Sequence, residues 1–323
     1  MKKLQMKKLL CGSAFSGIGA VEQALKNISV NHENQFMIEI DKHARKTYYS
    51  NHKVNNIYSD ITKVEPSTLD EIDLYTFGSP CQSFSIAGNR GGLNDWRGQL
   101  IFDGLNIIKE KQPKYFIYEN VMGMLSQDNG RSFDLIKNTF FELNYKVYYK
   151  VLNSKDYNSP QNRKRLFIVG IRNDINQDFE FPEPTTNFNK RTVSDVIREC
   201  KIEKKDFHLF DTTHLKFQER IRKTDIHKVG EITTISYGQD KRVVSSDGIS
   251  PCLVCGGAGK FYDEVNDVYR FMNQKELSLI QSFDIDFIYP IAKTHAIKQI
   301  GNSINVKVLE AILKNLLDES YFK

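Results

Sequence analysis

A thiol, a carboxyl group and a pair of guanidinium groups are the side chains best placed, by type and spacing, to do chemistry together. Cys81 lies in Gly78-Ser79-Pro80-Cys81-Gln82-Ser83-Phe84-Ser85. That turn follows Ile72-Asp73-Leu74-Tyr75-Thr76-Phe77, an apolar and aromatic run that reads as a buried strand. A thiol there stands on the edge where open α/β sheets bind ligands. It is either a nucleophile or a buried structural cysteine, a choice that microenvironment decides. The stretch from Ala87 to Gly98 is polar, glycine-rich and basic, the composition of a loop that closes over a polyanion. Glu119-Asn120-Val121 ends a second buried run, Tyr115 to Tyr118, so its carboxyl group could face the same cleft. Gln161-Asn162-Arg163-Lys164-Arg165 leads into the strand Leu166 to Ile171. Its cations form either a solvated face or a wall of that cleft.

A second constellation lies near the amino terminus. Phe15-Ser16-Gly17-Ile18-Gly19 joins a strand, Lys8 to Phe15, to a helix, Ala20 to Asn27. Strand, glycine turn and helix bring backbone N–H groups close to a nucleotide-like ligand. Two glycines one residue apart fall short of the full dinucleotide fingerprint. A further strand, Gln35 to Ile40, ends in Glu39-Ile40-Asp41, about twenty residues after the glycines. An acid there either accepts hydrogen bonds from ribose hydroxyls or caps the next helix. Asp60-Ile61-Thr62 stands at the following strand end.

Such positions need a scaffold. Strand and helix alternate from residue 8 to about 171, with helices over 99–111 and 131–143. This predicts an α/β, doubly wound, mostly parallel sheet. The rhythm stops near Phe181-Pro182-Glu183-Pro184. We therefore expect a catalytic and cofactor-binding domain over 1–182 and a smaller, irregular β-rich domain over 183–290. The segment 291–323 regains the apolar style of the first part and is expected to return to it. Cys252-Leu253-Val254-Cys255 has metal or redox spacing but no second pair, so it reads as a half-buried strand and no metal is expected.

Composition excludes several classes. Of 323 residues 40% are apolar, enough for a large core, and 45 basic against 40 acidic side chains give a net charge of +5. That balance accommodates a polyanionic partner without requiring one. Five cysteines form no disulfide framework and fit a reducing compartment. No apolar run reaches transmembrane length. Lys7, Lys8 and the following serines and glycines make the first stretch a strand rather than a secretion signal. A soluble, cytoplasmic chain is expected.

Phe15-Ser16-Gly17-Ile18-Gly19, Pro80-Cys81-Gln82, Glu119-Asn120-Val121, Gln161-Asn162-Arg163-Lys164-Arg165 and Gly301-Asn302-Ser303 follow one another as in the DNA cytosine-5 methyltransferases. Over about 1–172 and 268–323 the chain resembles that family, in its compact bacterial restriction-modification form. The resemblance implies a sequence-specific enzyme acting on a cytosine flipped out of double-stranded DNA. Cys81 would add to C6, making C5 nucleophilic. Glu119 would meet the charge that develops at N3, and a carboxyl group walled off from water has its pKa raised in the required direction. Arg163 and Arg165 would face the base and the thiolate.

The methyl donor implied is S-adenosylmethionine. By the same resemblance Phe15, Gly17 and Gly19 line its path, Glu39 takes the ribose, and Asp60 and Ile61 take the adenine. Ile40 stands where relatives often carry an aromatic residue, and Pro80, Asn302 and Ser303 complete the cofactor set. Ser85 and Arg97 lie on the stretch matching the family's mobile loop. Gln239 would fill the vacated space, with Lys241 and Arg242 as readers of guanine. A monomer without an obligatory protein partner is expected. Three other readings compete: a tRNA cytosine-5 methyltransferase, a catalytically silent DNA-binding relative, and a nicotinamide-dependent oxidoreductase. The long 185–290 segment favours a duplex over tRNA, the intact Cys81, Glu119 and arginine pair speaks against silence, and Pro80-Cys81-Gln82 has no place in a dehydrogenase.

Overall fold

In the computed structural model, residues 7–80, 96–185, 190–218, 225–235, 241–255 and 259–323 are described. The chain divides into two units, one of 1–152, 164–182 and 309–323, the other of 153–163 and 183–308.

The first unit carries β1 (Leu9–Ala14), α1 (Ala20–Asn27), β2 (His32–Ile38), α2 (Lys42–Asn51), β3 (Asn56–Tyr58), β4 (Leu74–Phe77), α3 (Trp96–Lys111), β5 (Tyr115–Val121), α4 (Arg131–Glu142), β6 (Tyr145–Asn153) and β7 (Lys164–Arg172). The strands form one sheet in the order β3-β2-β1-β4-β5-β7-β6. From β3 to β5 every neighbouring pair is parallel, and β7 runs antiparallel to β5. Leu74–Phe77 and Tyr115–Tyr118 are buried at every position, the pattern of strands covered on both faces. Phe36, Tyr75, Phe77, Phe116, Tyr118 and Phe140 fill the core around them. Parallel pairing puts the carboxyl ends of β1, β2, β4 and β5 on one edge. The chain runs from β1 through β2 to β3 on one side and then crosses back to β4 on the other side of β1, which opens a ligand crevice at that reversal.

The expected strands and helices are present with shifted ends. The second strand stops at Ile38 rather than Ile40: after a last bond from the Glu39 amide to the Tyr58 carbonyl, the Asp41 amide turns back to the Glu39 carboxylate and Asp41 caps α2.

The second unit holds α5 (Val193–Cys200), β8 (Leu215–Phe217), β9 (Lys228–Ile232), β10 (Arg242–Ser245), β11 (Lys260–Asp263), β12 (Val268–Phe271), α6 (Gln274–Ile280) and α7 (Lys293–Asn302). A last helix, α8 (Val306–Leu316), spans the division. Its smaller sheet has the order β12-β11-β10-β9-β8. Only β10 and β11 are parallel among its described pairs, so a crossover must join them. The outer edge of β12 is covered: Leu209 bridges Arg270, and the Phe271 amide donates to the His208 carbonyl at 2.8 Å.

Arg270 is 1% exposed between Asp263 and Glu276, both 0% exposed. Its Nε lies 2.7 Å from Asp263 Oδ2 and its Nη2 2.6 Å from Glu276 Oε1. The rings of Phe207 and Phe261 sandwich the guanidinium at 4.4 and 4.5 Å.

Candidate active site

At the end of β1 the backbone enters the left-handed region at Phe15, Gly17 and Gly19, with φ of 53°, 57° and 87°. Gly19 precedes α1, and a Cβ there would meet the His52 ring at 2.3 Å. Gly17 has no heavy atom within 4 Å of the position a Cβ would take, so its face is open. Its amide donates to Glu39 Oε2 at 2.9 Å, and the Asp41 amide donates to Glu39 Oε1 at 2.9 Å. Burial pushes the Glu39 carboxyl pKa up, against the pull of those two N–H bonds.

Asp41 caps α2 by accepting from the amides of His43 and Ala44, so the capping role falls to Asp41 and not to Glu39. Ile40 is 74% exposed, an apolar side chain held out at the sheet edge. Asp60 accepts from the Thr62 amide and hydroxyl at 3.1 and 2.8 Å, bonds that hold its carboxyl low, the hydroxyl most. The Ile61 side chain belongs to the core.

An S-adenosylmethionine fits these residues. Each Glu39 oxygen keeps a lone pair for a sugar hydroxyl, the Gly17 face leaves room for the ligand, and Ile40 offers an apolar surface to a base.

At the ends of β4 and β5 a second group gathers. Glu119 Oε1 lies 3.1 Å from Arg165 Nε, with the two side chains 15% and 18% exposed. In the β5–β7 register Val121 faces Arg165 and Glu119 faces Phe167. The pair therefore meets on the diagonal, within reach of long side chains. Gly78 brings the neighbouring strand close: a Cβ on it would sit 3.1 Å from the Glu119 carbonyl oxygen. Asn120 ties the same ends together. Its Nδ2 donates to the Ser79 carbonyl at 3.2 Å and to Tyr118 Oη at 2.6 Å, and the Tyr118 and Ser79 hydroxyls are 2.9 Å apart. Half-buried Pro80 follows. Cys81, Ser85 and Gln239 lie outside the described residues, as does the Arg97 side chain on α3.

Arg163 belongs to the second unit and is 3% exposed. Its Nη1 donates to Cys252 Sγ at 3.3 Å and the Leu253 carbonyl at 2.9 Å; its Nη2 donates to the carbonyls of Gly301 at 3.0 Å and Ser303 at 2.8 Å. Gln161 accepts from the Leu253 amide at 3.0 Å and donates to Gln281 at 3.0 Å. A Cβ on Gly301 would lie 2.3 Å from the Val254 carbonyl oxygen. So Cys252–Cys255 is no strand: Gln161 and Arg163 side chains take the Leu253 groups that a neighbouring strand would have paired. Among the described residues no cluster of His, Cys, Asp or Glu could hold a metal ion. Asn302 is exposed at the end of α7. Arg242 is exposed at the start of β10, beside Lys241, whose Nζ is 3.0 Å from Glu231.

A family profile described as C-5 cytosine-specific DNA methylase matches residues 10–318. The chain belongs to that family. It is 33% identical over 336 residues to the type II methyltransferase M.HhaI of Haemophilus parahaemolyticus, covering 100% of this chain and 98% of that protein. It is 35% identical over 282 residues to the orphan methyltransferase M.SPRI of Bacillus phage SPR, covering 77% of this chain and 64% of the phage protein. The fold of the Schizosaccharomyces pombe Dnmt2 methyltransferase is similar, with a TM-score of 0.73 at 18% identity over 96% of this chain and 100% of that one. Enzymes of this methylase family are DNA (cytosine-5)-methyltransferases and draw the methyl group from S-adenosylmethionine.

The motif residues of this methylase were visible in its sequence, whereas several residues that hold them were not. Tyr118 is a hydroxyl at the end of an apolar run and Ser79 lies in the turn before Cys81, and those placements were the available signal. Ser13, Ser16, Glu22, Tyr48 and Gln281 gave none, because their partners lie on other elements that only the fold brings together.

Proposed function

We propose that this methylase modifies C5 of a specific cytosine in double-stranded DNA, with Cys81 as the nucleophile. The observation that carries the reading is the Glu119–Arg165 pair on the sheet edge, joined through Asn120 to Ser79, two residues before Cys81. S-adenosylmethionine supplies an electrophilic methyl group. Gly17, Glu39 and Ile40 hold its ribose and base, with Phe15, Gly19, Asp60, Ile61, Pro80, Asn302 and Ser303 completing the site.

Cys81 adds to C6 of the everted base and Glu119 shares its proton with N3. Arg165 orients Glu119 and donates to the O2 edge. Arg163 acts by fixing the segments it brackets within its own unit. Ser85, Arg97, Gln239 and Arg242 contact DNA. The unit containing 1–152 does the chemistry and the small sheet reads the target, in a monomeric, cytoplasmic enzyme that protects host or phage DNA.

A duplex carrying 5-fluorocytosine tests the reading, because fluorine cannot leave C5 as a proton does. Wild-type protein with cofactor should form a denaturation-resistant adduct, and Cys81→Ser should not. No adduct on a mixed-sequence library, or an adduct on tRNA alone, sinks it.

A further inference from the structure

The glycine turn after β1 rests on a string of buried groups that no role above uses. Glu22 on α1 is 4% exposed. Its Oε1 accepts from Tyr48 Oη at 2.8 Å and lies 3.1 Å from Ser13 Oγ. Ser13 Oγ is also 2.8 Å from Ser16 Oγ. The Ser16 hydroxyl donates to the Ile38 carbonyl and accepts from the Ile38 amide, each at 3.2 Å. Ser16 precedes Gly17 and Ile38 precedes Glu39, the two residues joined by the Gly17 N–H bond. The string thus runs from α2 through α1 and β1 to both halves of that bond.

Counting protons gives the string a direction. A serine hydroxyl has one proton, so Ser13 cannot donate to Glu22 and Ser16 at once. With a protonated Glu22, Tyr48 donates to Glu22, Glu22 to Ser13, Ser13 to Ser16 and Ser16 to the Ile38 carbonyl. Every contact is then a hydrogen bond. With an ionised Glu22, Ser13 turns to the carboxylate, and the one Ser16 proton then serves either Ser13 or the Ile38 carbonyl, so one contact of the string goes without a proton. The titratable neighbours are Cys11 of β1 and Tyr48 of α2, both pushed up by burial and uncharged near neutrality, with His52 packed on Tyr48. Burial raises the Glu22 carboxyl pKa as well, in the direction of the arrangement in which every contact carries a proton.

We propose that Glu22, held as a neutral acid, is a positioning residue for the methyl donor: through Ser13 and Ser16 it presents the Gly17 amide and Glu39 to the ribose as one preformed element. This rests on the reading that Gly17 and Glu39 bind that cofactor.

The test is calorimetric binding of S-adenosylhomocysteine to the full chain, alongside the melting temperature of each variant. Glu39→Ala should weaken binding by about tenfold or more. Ser13→Ala, which an interior position accepts, should keep the wild-type melting temperature within a few degrees and bind about tenfold more weakly. Ser13→Ala/Ser16→Ala should be no weaker than the worse single variant, because both break one string. Glu22→Gln, whose amide can still donate to Ser13, should bind within about threefold of wild type, while Glu22→Ala should not.

A stable Ser13→Ala protein with wild-type affinity overturns the proposal. So do additive losses in the double variant, or a Glu22→Gln protein as weak as Glu22→Ala. Unchanged affinity in Glu39→Ala instead overturns the cofactor reading itself.

Discussion

Arg165 reaches Glu119 diagonally across an antiparallel pair of strands, Nε to Oε1 at 3.1 Å. The reversal of β7 places them so: a parallel neighbour after β5 would have brought its own carboxyl end to this edge, not the amino-terminal Arg165.

Glu119→Gln keeps an oxygen for Arg165 and removes the acid. Cofactor binding should stay as in wild type, and single-turnover methylation should slow by roughly 10²–10⁴-fold. Rates within a few fold of wild type would remove Glu119 from the chemistry.

Arg163→Met keeps the stem of the side chain and deletes the groups donating to Leu253, Gly301 and Ser303. Leaving buried acceptors without that donor should cost about 3 kcal/mol. Calorimetric melting reads this directly. A variant as stable as wild type but inactive would move Arg163 from a bracket to a substrate contact.

His52 lies under the glycine turn, and burial takes its imidazole from 6.5 down to about 4. The folded chain therefore binds this proton more weakly than the unfolded one. The resulting stability is present above the unfolded value of 6.5 and is lost as pH falls from there to about 4. The shift corresponds to roughly 3 kcal/mol. Denaturation midpoints taken between about pH 7 and pH 5 should fall less for His52→Gln than for wild type. Parallel declines would assign the acid sensitivity elsewhere.

Arg270→Met strands two carboxylates that are 0% exposed. Loss of one partner from such a set costs about 3–5 kcal/mol, whereas replacing all three by apolar residues of similar volume costs far less. Urea titration of the single and triple variants distinguishes these, and an equally destabilised triple variant would contradict the assignment.

Much of the first unit was legible because its strands are short apolar runs punctuated by glycine and proline. The acids Glu39 and Glu119 were legible as strand-end residues for the same reason. What spacing could not convey is who answers whom across the chain. Arg163 looked like one cation in a charged run until Gly301 and Ser303, about 140 positions away, supplied its acceptors. Leu253 looked like the middle of a strand because propensity does not know that a glutamine and an arginine will take its amide and carbonyl. Nothing in the spacing of Ala20 to Asn27 singles out Glu22, and only Tyr48 and Ser13 reveal it as interior.

The covered margin of β12 has an evolutionary consequence. With His208 and Leu209 laid along it, lengthening or rewriting the turns of the small sheet leaves this rim closed to another chain. Turns of this sheet can then vary from one lineage to the next without that margin becoming available to another chain.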